Sequence, residues 1–297
     1  MDICIIVVSY NSSKTIYNCL KSLFDNSPKQ HSYSVVLVDN ASIDDTLEIV
    51  RREFPEVKII SNSKNLGFGK ANNQAMNFVK ANFYYLHNSD AYLQENILDK
   101  AIEFMGDNND VGIVGFPLVY PDLSVQTSAY SRSKPFKWFL QGIKIDRIAK
   151  FVVSKVSHPF IVNNLQRFSV SKSFVKSYNF AEGGFFEVDW VCGAAMLIKD
   201  RTRVEVGGGF DENIFLYGED EDLCIEAMEK GWKVGQLMLC PVIHDFGWGQ
   251  HKKTSKKVAL LKWQSLLYFI NKRFERYSVS WFFMRIFLFI KKKSWGI

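Results

Sequence analysis

A chain of 297 residues, 47% of them hydrophobic, can bury a substantial core and has room for one large domain or two small ones. Its five cysteines (Cys4, Cys19, Cys192, Cys224 and Cys240) are scattered, with neither metal-type spacing nor a paired framework. This excludes a disulfide scaffold and suits a reducing compartment. The net charge of +6 is uneven: from Trp248 onward there are twelve Lys or Arg and one acid, Glu275, so the remainder is mildly acidic. A basic C-terminal piece points to an anionic surface as partner; nucleic acid would suit the charge, but no nucleic-acid motif accompanies it.

The first apolar run, ICIIVV at 3–8, is too short for a signal-peptide core and lacks a basic flank. It reads as a first strand, and a cytoplasmic protein is expected. Further runs at 35–38, 57–60, 83–86 and 111–114 read as buried strands. Helical faces lie between them: Ile16, Leu20, Leu23 and Phe24; then Ile43, Leu47, Val50 and Phe54; then Ala71, Ala75 and Val79. Asn11 to Ser13 and Ser42 are cap-type residues before the first two helices. This alternation predicts a mostly parallel sheet with helices on both faces, whose ligands collect at the carboxyl ends of the strands. Those ends carry Ser9, Tyr10 and Asn11, then Asp39 and Asn40, then Asn62, then Asn88 and Asp90.

Within YYLHNSDAYL (84–93), the residues from His87 onward are expected to break the strand. Enzymes that handle nucleotide diphosphates often place two carboxylates at such a point to hold a divalent cation. Here Asp90 stands alone, with Asn88 where the other acid could be. NLGFGKANN (65–73) places Gly67 and Gly69 before a helix, where backbone amides could approach a phosphate; an ordinary turn is the equal alternative. No dinucleotide fingerprint follows strand one, which counts against a nicotinamide or flavin enzyme.

Residues 117–180 lose the rhythm and read as an insertion with some helix. Regularity returns with VDWVCGAAMLI, a strand-like run, then a helix opened by Glu219, Asp220, Glu221 and Asp222 and ending at Gly231, then WKVGQLML. Acids in a first turn complement the helix dipole by roughly 0.3–1 kcal/mol each. Periodicity separates them, because Leu223, Cys224, Ala227 and Met228 form a stripe on the side of Asp220. Asp222 aligns with Glu226 and Glu229 on the expected wet face. An inward carboxylate at a helix start is costly without a partner or a task, which favours a functional Asp220.

Six segments in order, VVSYNSSKTIYNCLKSL, VVLVDNASIDDT, NLGFGKANNQAM, HNSDAYL, WVCGAAMLIKD and GGFDENIFLYGEDEDLC, resemble family-2 glycosyltransferases of the GT-A fold, close to bacterial rhamnosyltransferase-like members. They span roughly residues 1–115 and 185–245. The resemblance implies a Rossmann-like central sheet and inverting transfer of a sugar from a nucleotide-diphosphate donor to an acceptor hydroxyl. It assigns Asp220 as general base, Asp39 to the nucleoside, Ser9, Tyr10, Gly67, Gly69 and Asn88 to the donor pocket, and Trp190, Gly193, Ala194 and Glu219 to the sugar and acceptor pocket. Trp190 and Gly193 to Ala195 fit a small-residue core strand equally well. Asp90 matches a ligand of Mg²⁺ or Mn²⁺, and His244 stands where some relatives supply another ligand.

The expected layout is a transferase domain over 1–250, with a nucleotide half (1–115), a variable insertion (116–184) and an acceptor half (185–250). A basic amphipathic segment over 251–297 follows as a C-terminal helical extension. In that segment Ala259, Leu260, Trp263, Leu266, Leu267 and Ile270 share a face. The run after Ser278 is interrupted by Arg285 and falls short of the ~20 residues a spanning helix needs. It resembles an interfacial segment, which implies an enzyme peripheral to the inner face of the cytoplasmic membrane, building surface polysaccharide on a lipid-linked or glycan acceptor. Oligomerisation is left open. The competing readings are a sugar-nucleotide pyrophosphorylase, which would want a Gly- and Arg-rich loop after strand one, and a sugar-nucleotide-binding scaffold that has lost catalysis.

Overall fold

The computed structural model describes residues 1–132, 184–245 and 256–294; most of the expected insertion, 133–183, lies outside them. These residues fall into two compact units, one holding Met1–Tyr130 with 184–245 and the other holding the C-terminal helices.

The first unit is organised by β1 (Ile3–Ser9). Successive strand residues point to opposite faces, so Ile3, Ile5 and Val7 enter one core layer while Cys4 and Ile6 enter the other, all fully buried. β1 lies between β2 (Tyr33–Asp39) and β4 (Phe83–Asn88), parallel to both, with Ser9 opposite Asp39 and Val8 opposite Asn88. That register delivers three polar residues to one end of the sheet. β3 (Lys58–Ser61) pairs with β2 at the edge and is only partly covered, so the expectation of a buried strand there fails. Its isoleucines have a helix layer without a further strand beside them.

Beyond β4 the sheet continues through β12 (Ala195–Lys199), β6 (Val111–Gly115), β13 (Lys233–Leu237) and β10 (Phe185–Glu187), giving the order β10-β13-β6-β12-β4-β1-β2-β3. Six strands run one way; β12 and β10 run against them. Because β12 is reversed, its beginning meets the carboxyl ends of β1, β2 and β4. Helices α1 (Ile16–Asp25), α2 (Thr46–Glu53) and α4 (Leu98–Asp107) cover one face. The other carries α3 (Phe68–Phe78) and α6 (Glu219–Glu229), with α5 (Asp200–Glu205) at its margin. The mostly parallel sheet with helices on both faces is therefore present.

Local expectations differ at several points. His87 and Asn88 stay within β4. Ile43 is 93% exposed and lies before α2, because Ser42 is committed to Asp39. VDWVCGAAMLI is two strands: β11 (Trp190–Val191) pairs with β9 (Ala129–Tyr130), and the chain turns at Gly193 before β12. A small second sheet joins β5 (Ala91–Tyr92), β14 (Val242–His244), β7 (Leu118–Val119) and β8 (Val125–Gln126).

In the second unit, α7 (Lys256–Arg273) and α8 (Val279–Ser294) pack through Leu266, Ile270, Met284 and Leu288. Leu260 departs from the expected buried stripe and is exposed. Among the described residues no helix is long and apolar enough to cross a membrane.

Leu20→Ala should cost about 2–5 kcal/mol in urea unfolding, whereas Ile43→Ala should stay within about 0.5 kcal/mol. Equal losses would contradict the placement of α2.

Candidate functional site

At the beginning of α6, Gly218 takes φ 103° and lets the chain enter the helix with Asp220 turned inward. Asp220 Oδ2 accepts a hydrogen bond of 2.9 Å from the Gly193 amide. Its Oδ1 is enclosed and has no hydrogen-bond partner among the described residues. A Cβ on Gly193 would lie 2.5 Å from that oxygen and 3.0 Å from the Phe68 ring, so glycine is required for the approach. Burial pushes the Asp220 carboxyl up to about 6 against the pull of the Gly193 N–H. Glu219 is pushed up to about 8, first by burial and then by the Asp220 charge, and its Oε2 also lacks a partner among the described residues. Trp190 stacks on Tyr130 with ring centroids 4.0 Å apart, leaving its Nε1 in the same condition.

Asp222 contradicts the wet-face expectation, being 1% exposed. In the first turn of α6 Glu219, Glu221 and Asp222 are all buried and Asp220 is half-buried, so periodicity sorts inside from outside only later, with Glu226 half-buried and Glu229 exposed. Ala194 is buried; its carbonyl accepts from the Asn88 amide at 3.0 Å, tying the end of β4 to the Gly193 turn. The Cys192 thiol is pushed up to about 12 by burial and then by the Asp220, Glu219 and Asp90 charges.

At the ends of β1 and β2, Asp39 is fully buried. Its Oδ1 accepts from the Ser9 hydroxyl at 2.9 Å and from the Ser42 hydroxyl, and its Oδ2 accepts from the Ser42 amide at 2.9 Å. Ser9 is likewise buried, with its hydroxyl on Asp39; Tyr10 is 54% exposed. Asn40 ties this turn to the glycine loop by donating to the Gly67 carbonyl at 3.1 Å. Both glycines of that loop are closely approached by another part of the chain. The Gly67 amide donates to Asn65 Oδ1, and Cβ atoms at Gly67 and Gly69 would strike the Phe215 carbonyl at 2.5 Å and Phe210 Cβ at 2.8 Å. The glycines admit the 210–215 segment of the protein itself.

The HNSD turn is closed by His87, whose Nε2 lies 2.9 Å from the Ala91 carbonyl and whose basicity burial depresses to about 4. Antiparallel pairing of β5 with β14 sets His244 opposite Ala91 and brings its Nε2 to 3.3 Å from Asp90 Oδ1 and 3.2 Å from Asn88 Nδ2. On the other side of the ring, His244 Nδ1 is 2.7 Å from Gln126 Oε1. An amide oxygen can only accept, so Nδ1 carries a proton, and in the neutral ring the Nε2 lone pair faces Asp90 and Asn88. A carboxylate oxygen beside an imidazole lone pair fits a divalent cation. Among the described residues no group of three His, Cys, Asp or Glu gathers for a metal.

A family model described as glycosyl transferase family 2 matches residues 4–172, more than half of the chain. The chain belongs to glycosyl transferase family 2. It is a glycosyltransferase, and its fold class is GT-A. The transferase is 24% identical over 251 residues, 81% of this chain and 75% of the relative, to an N-acetylglucosaminyl-diphospho-decaprenol L-rhamnosyltransferase of Mycobacterium tuberculosis. Residues 1–349 of S. aureus TarS superpose with a TM-score of 0.54 at 18% identity, covering 99% of this chain and 72% of that one. GalNAc-T7, solved with UDP, GalNAc and Mn²⁺, superposes with a TM-score of 0.60 at 11% identity, covering all of this chain and 54% of that one. At these identities the two structures establish the fold alone.

Three residues of the transferase site gave no separate signal in the sequence. Gln126 lies in a stretch with no helix or strand rhythm, and only the folded pairing of β7 with β8 aims it at His244. Ser42 reads as a helix cap but serves Asp39. Asn40 looks like any polar strand end, although it staples two loops.

The raised Glu219 carboxyl has a consequence for stability. The folded state favours its neutral form, so stability is present below the unfolded value near 4.5 and is lost as pH rises through about 8. Glu219→Gln should therefore raise Tm at pH 9 more than at pH 5. An equal change at both values would contradict the burial of that carboxyl.

Proposed function

We propose that this transferase moves a sugar from a nucleotide-diphosphate donor to an acceptor hydroxyl with inversion at the anomeric carbon. Asp220 is the general base. The observation that carries this reading is a carboxylate with one oxygen fixed by the Gly193 amide and the other enclosed and unpartnered among the described residues. Its free lone pair supports a role in accepting the proton of an attacking hydroxyl, and burial raises its basicity above that of an exposed aspartate. Glu219, whose neutral form burial and the Asp220 charge favour, donates a hydrogen bond to a sugar hydroxyl, and Trp190 and the Gly193 turn form the wall of the sugar and acceptor pocket. Asp39 and Ser9 hold the 39–42 turn against which the nucleoside sits, with Tyr10 over its open side. Residues 1–115 serve the donor and 185–250 the acceptor.

Asp90 and His244 would hold Mg²⁺ or Mn²⁺, with Asn88 beside them. When bound, the cation supplies positive charge to the departing diphosphate. One or two carboxylates suffice for Mg²⁺ when phosphate oxygens and waters complete its shell, so the acid missing at Asn88 does not weaken this reading. Conversely, a scaffold that had lost catalysis would have no need for the enclosed Asp220 oxygen. The acceptor is lipid-linked, in surface-polysaccharide assembly on the cytoplasmic side of the membrane. The diphospho-decaprenol in the name of the mycobacterial relative supports this, as does the basic C-terminal piece.

Asp220→Asn should reduce transfer by about 10²–10⁴-fold while donor binding is retained, as read by turnover and by donor titration. Wild-type turnover would reject the base. In a thermal-shift series with UDP, dTDP and GDP, at least one nucleotide should stabilise the wild type more with Mn²⁺ than without, and Asp90→Ala should remove that difference. Stabilisation that ignores Mn²⁺ in both proteins would reject the metal pair, and no stabilisation by any nucleotide would reject the donor class.

A further inference from the structure

We infer that α8 is a bilayer-docking helix that lies flat on an anionic membrane, inserting one apolar stripe between headgroups that its basic residues bind. This goes beyond the transferase reading and stands on observations confined to the two C-terminal helices.

The residues that face away from α7 carry it. Met284, Phe287 and Leu288 are buried, and Met284 and Leu288 pack on α7 with Trp281. A soluble hairpin would turn a polar face outward. Instead Val279, Phe282 and Phe289 are 73%, 58% and 57% exposed, with Ile286 half-buried between the two phenylalanines. Steps of three, four and three residues place all four on one line along the helix. At a rise of 1.5 Å per residue, that line runs about 15 Å. Tyr277, 76% exposed, continues it at the turn before α8.

Charge identifies the occupant. From Lys256 to Lys293 there are ten Lys or Arg and one acid, Glu275. Several cations lie over aromatic rings of the same hairpin: Arg276 over Tyr277 at 5.1 Å, Arg285 over Trp281 at 5.1 Å, Lys292 over Trp263 at 4.6 Å and Lys293 over Phe289 at 4.8 Å. Aromatic bodies with long cationic side chains folded beside them fill the boundary between acyl chains and headgroups, where the rings insert shallowly and the ammonium and guanidinium groups reach phosphate. A protein partner would need matching acids; an anionic leaflet supplies them everywhere. With 16 residues α8 is shorter than the ~20 a spanning helix needs, so it would lie in the plane of the surface.

The test uses the full chain and sucrose-loaded vesicles of phosphatidylcholine with or without phosphatidylglycerol, read by co-sedimentation. Wild-type protein should pellet with the anionic vesicles and stay in solution with the neutral ones. Phe282→Ser with Phe289→Ser changes only exposed side chains and should weaken partitioning at least tenfold. Lys292→Gln with Lys293→Gln should weaken it by roughly thirtyfold. Both variants should shift with nucleotide as the wild type does, which separates this test from that of the transferase reading. Equal pelleting of wild type and variants would overturn the proposal, as would wild type left in solution with anionic vesicles. A concentration-dependent dimer lost in the phenylalanine variant, without vesicle binding, would also overturn it and assign the stripe to a second copy of the chain.

Discussion

The contact between the Gly193 amide and the Asp220 carboxylate is the constraint on which the site depends. It joins the turn before β12 to the first turn of α6, two elements with no local reason to meet. One hydrogen atom in place of a Cβ decides whether they can, since a methyl group at Gly193 would press on the second carboxylate oxygen and on Phe68. The same contact sets the chemistry. Enclosure withdraws solvent from the carboxylate and raises its proton affinity, while the single amide donor limits that rise. Stronger solvation would make Asp220 a poorer base, and complete isolation would keep it protonated. Its position between these limits makes it serviceable near neutral pH.

The rest of the unit brings polar groups to that contact. Three parallel strands end in Ser9, Asp39 and Asn88 at one level, and reversed β12 supplies its beginning to the same edge. The short second sheet then folds His244 back over the HNSD turn. The Asn88 amide donates to the Ala194 carbonyl and the adjacent Gly193 amide donates to Asp220, so the end of β4 and the start of α6 meet at one turn. Separating the ends of the sheet by one residue of register would take Asp39 away from Ser9 and Asn88 away from Ala194.

Much of this was legible in the sequence, for reasons that can be named. Long apolar runs at regular spacing identify buried strands in a parallel sheet, and the stripe from Leu223 to Ala227 fixes the rotation of α6 well enough to aim Asp220 inward. What escaped is nonlocal. Asp222 reads as solvent-facing because helical period says nothing about how deeply a first turn is buried. Gly67 and Gly69 look the same in sequence whether a phosphate or a phenylalanine approaches them; the fold places Phe215 and Phe210 there. VDWVCGAAMLI reads as one strand because the turn at Gly193 is dictated by Asp220, 27 residues later. Asp90 and His244 were each singled out, but the pairing of β5 with β14 that joins them, and the glutamine that orients the imidazole, exist only in the folded chain.

The central claim is that Asp220 is an enclosed carboxylate whose proton affinity the fold has raised. A ¹³C titration of aspartate carboxyl groups, with Asp220 assigned by its disappearance in Asp220→Asn, measures this directly. The account predicts a midpoint well above the ordinary aspartate value for that resonance, because burial raises it. A midpoint at the ordinary aspartate value near 3.8 would contradict it and with it the assignment of Asp220 as the base.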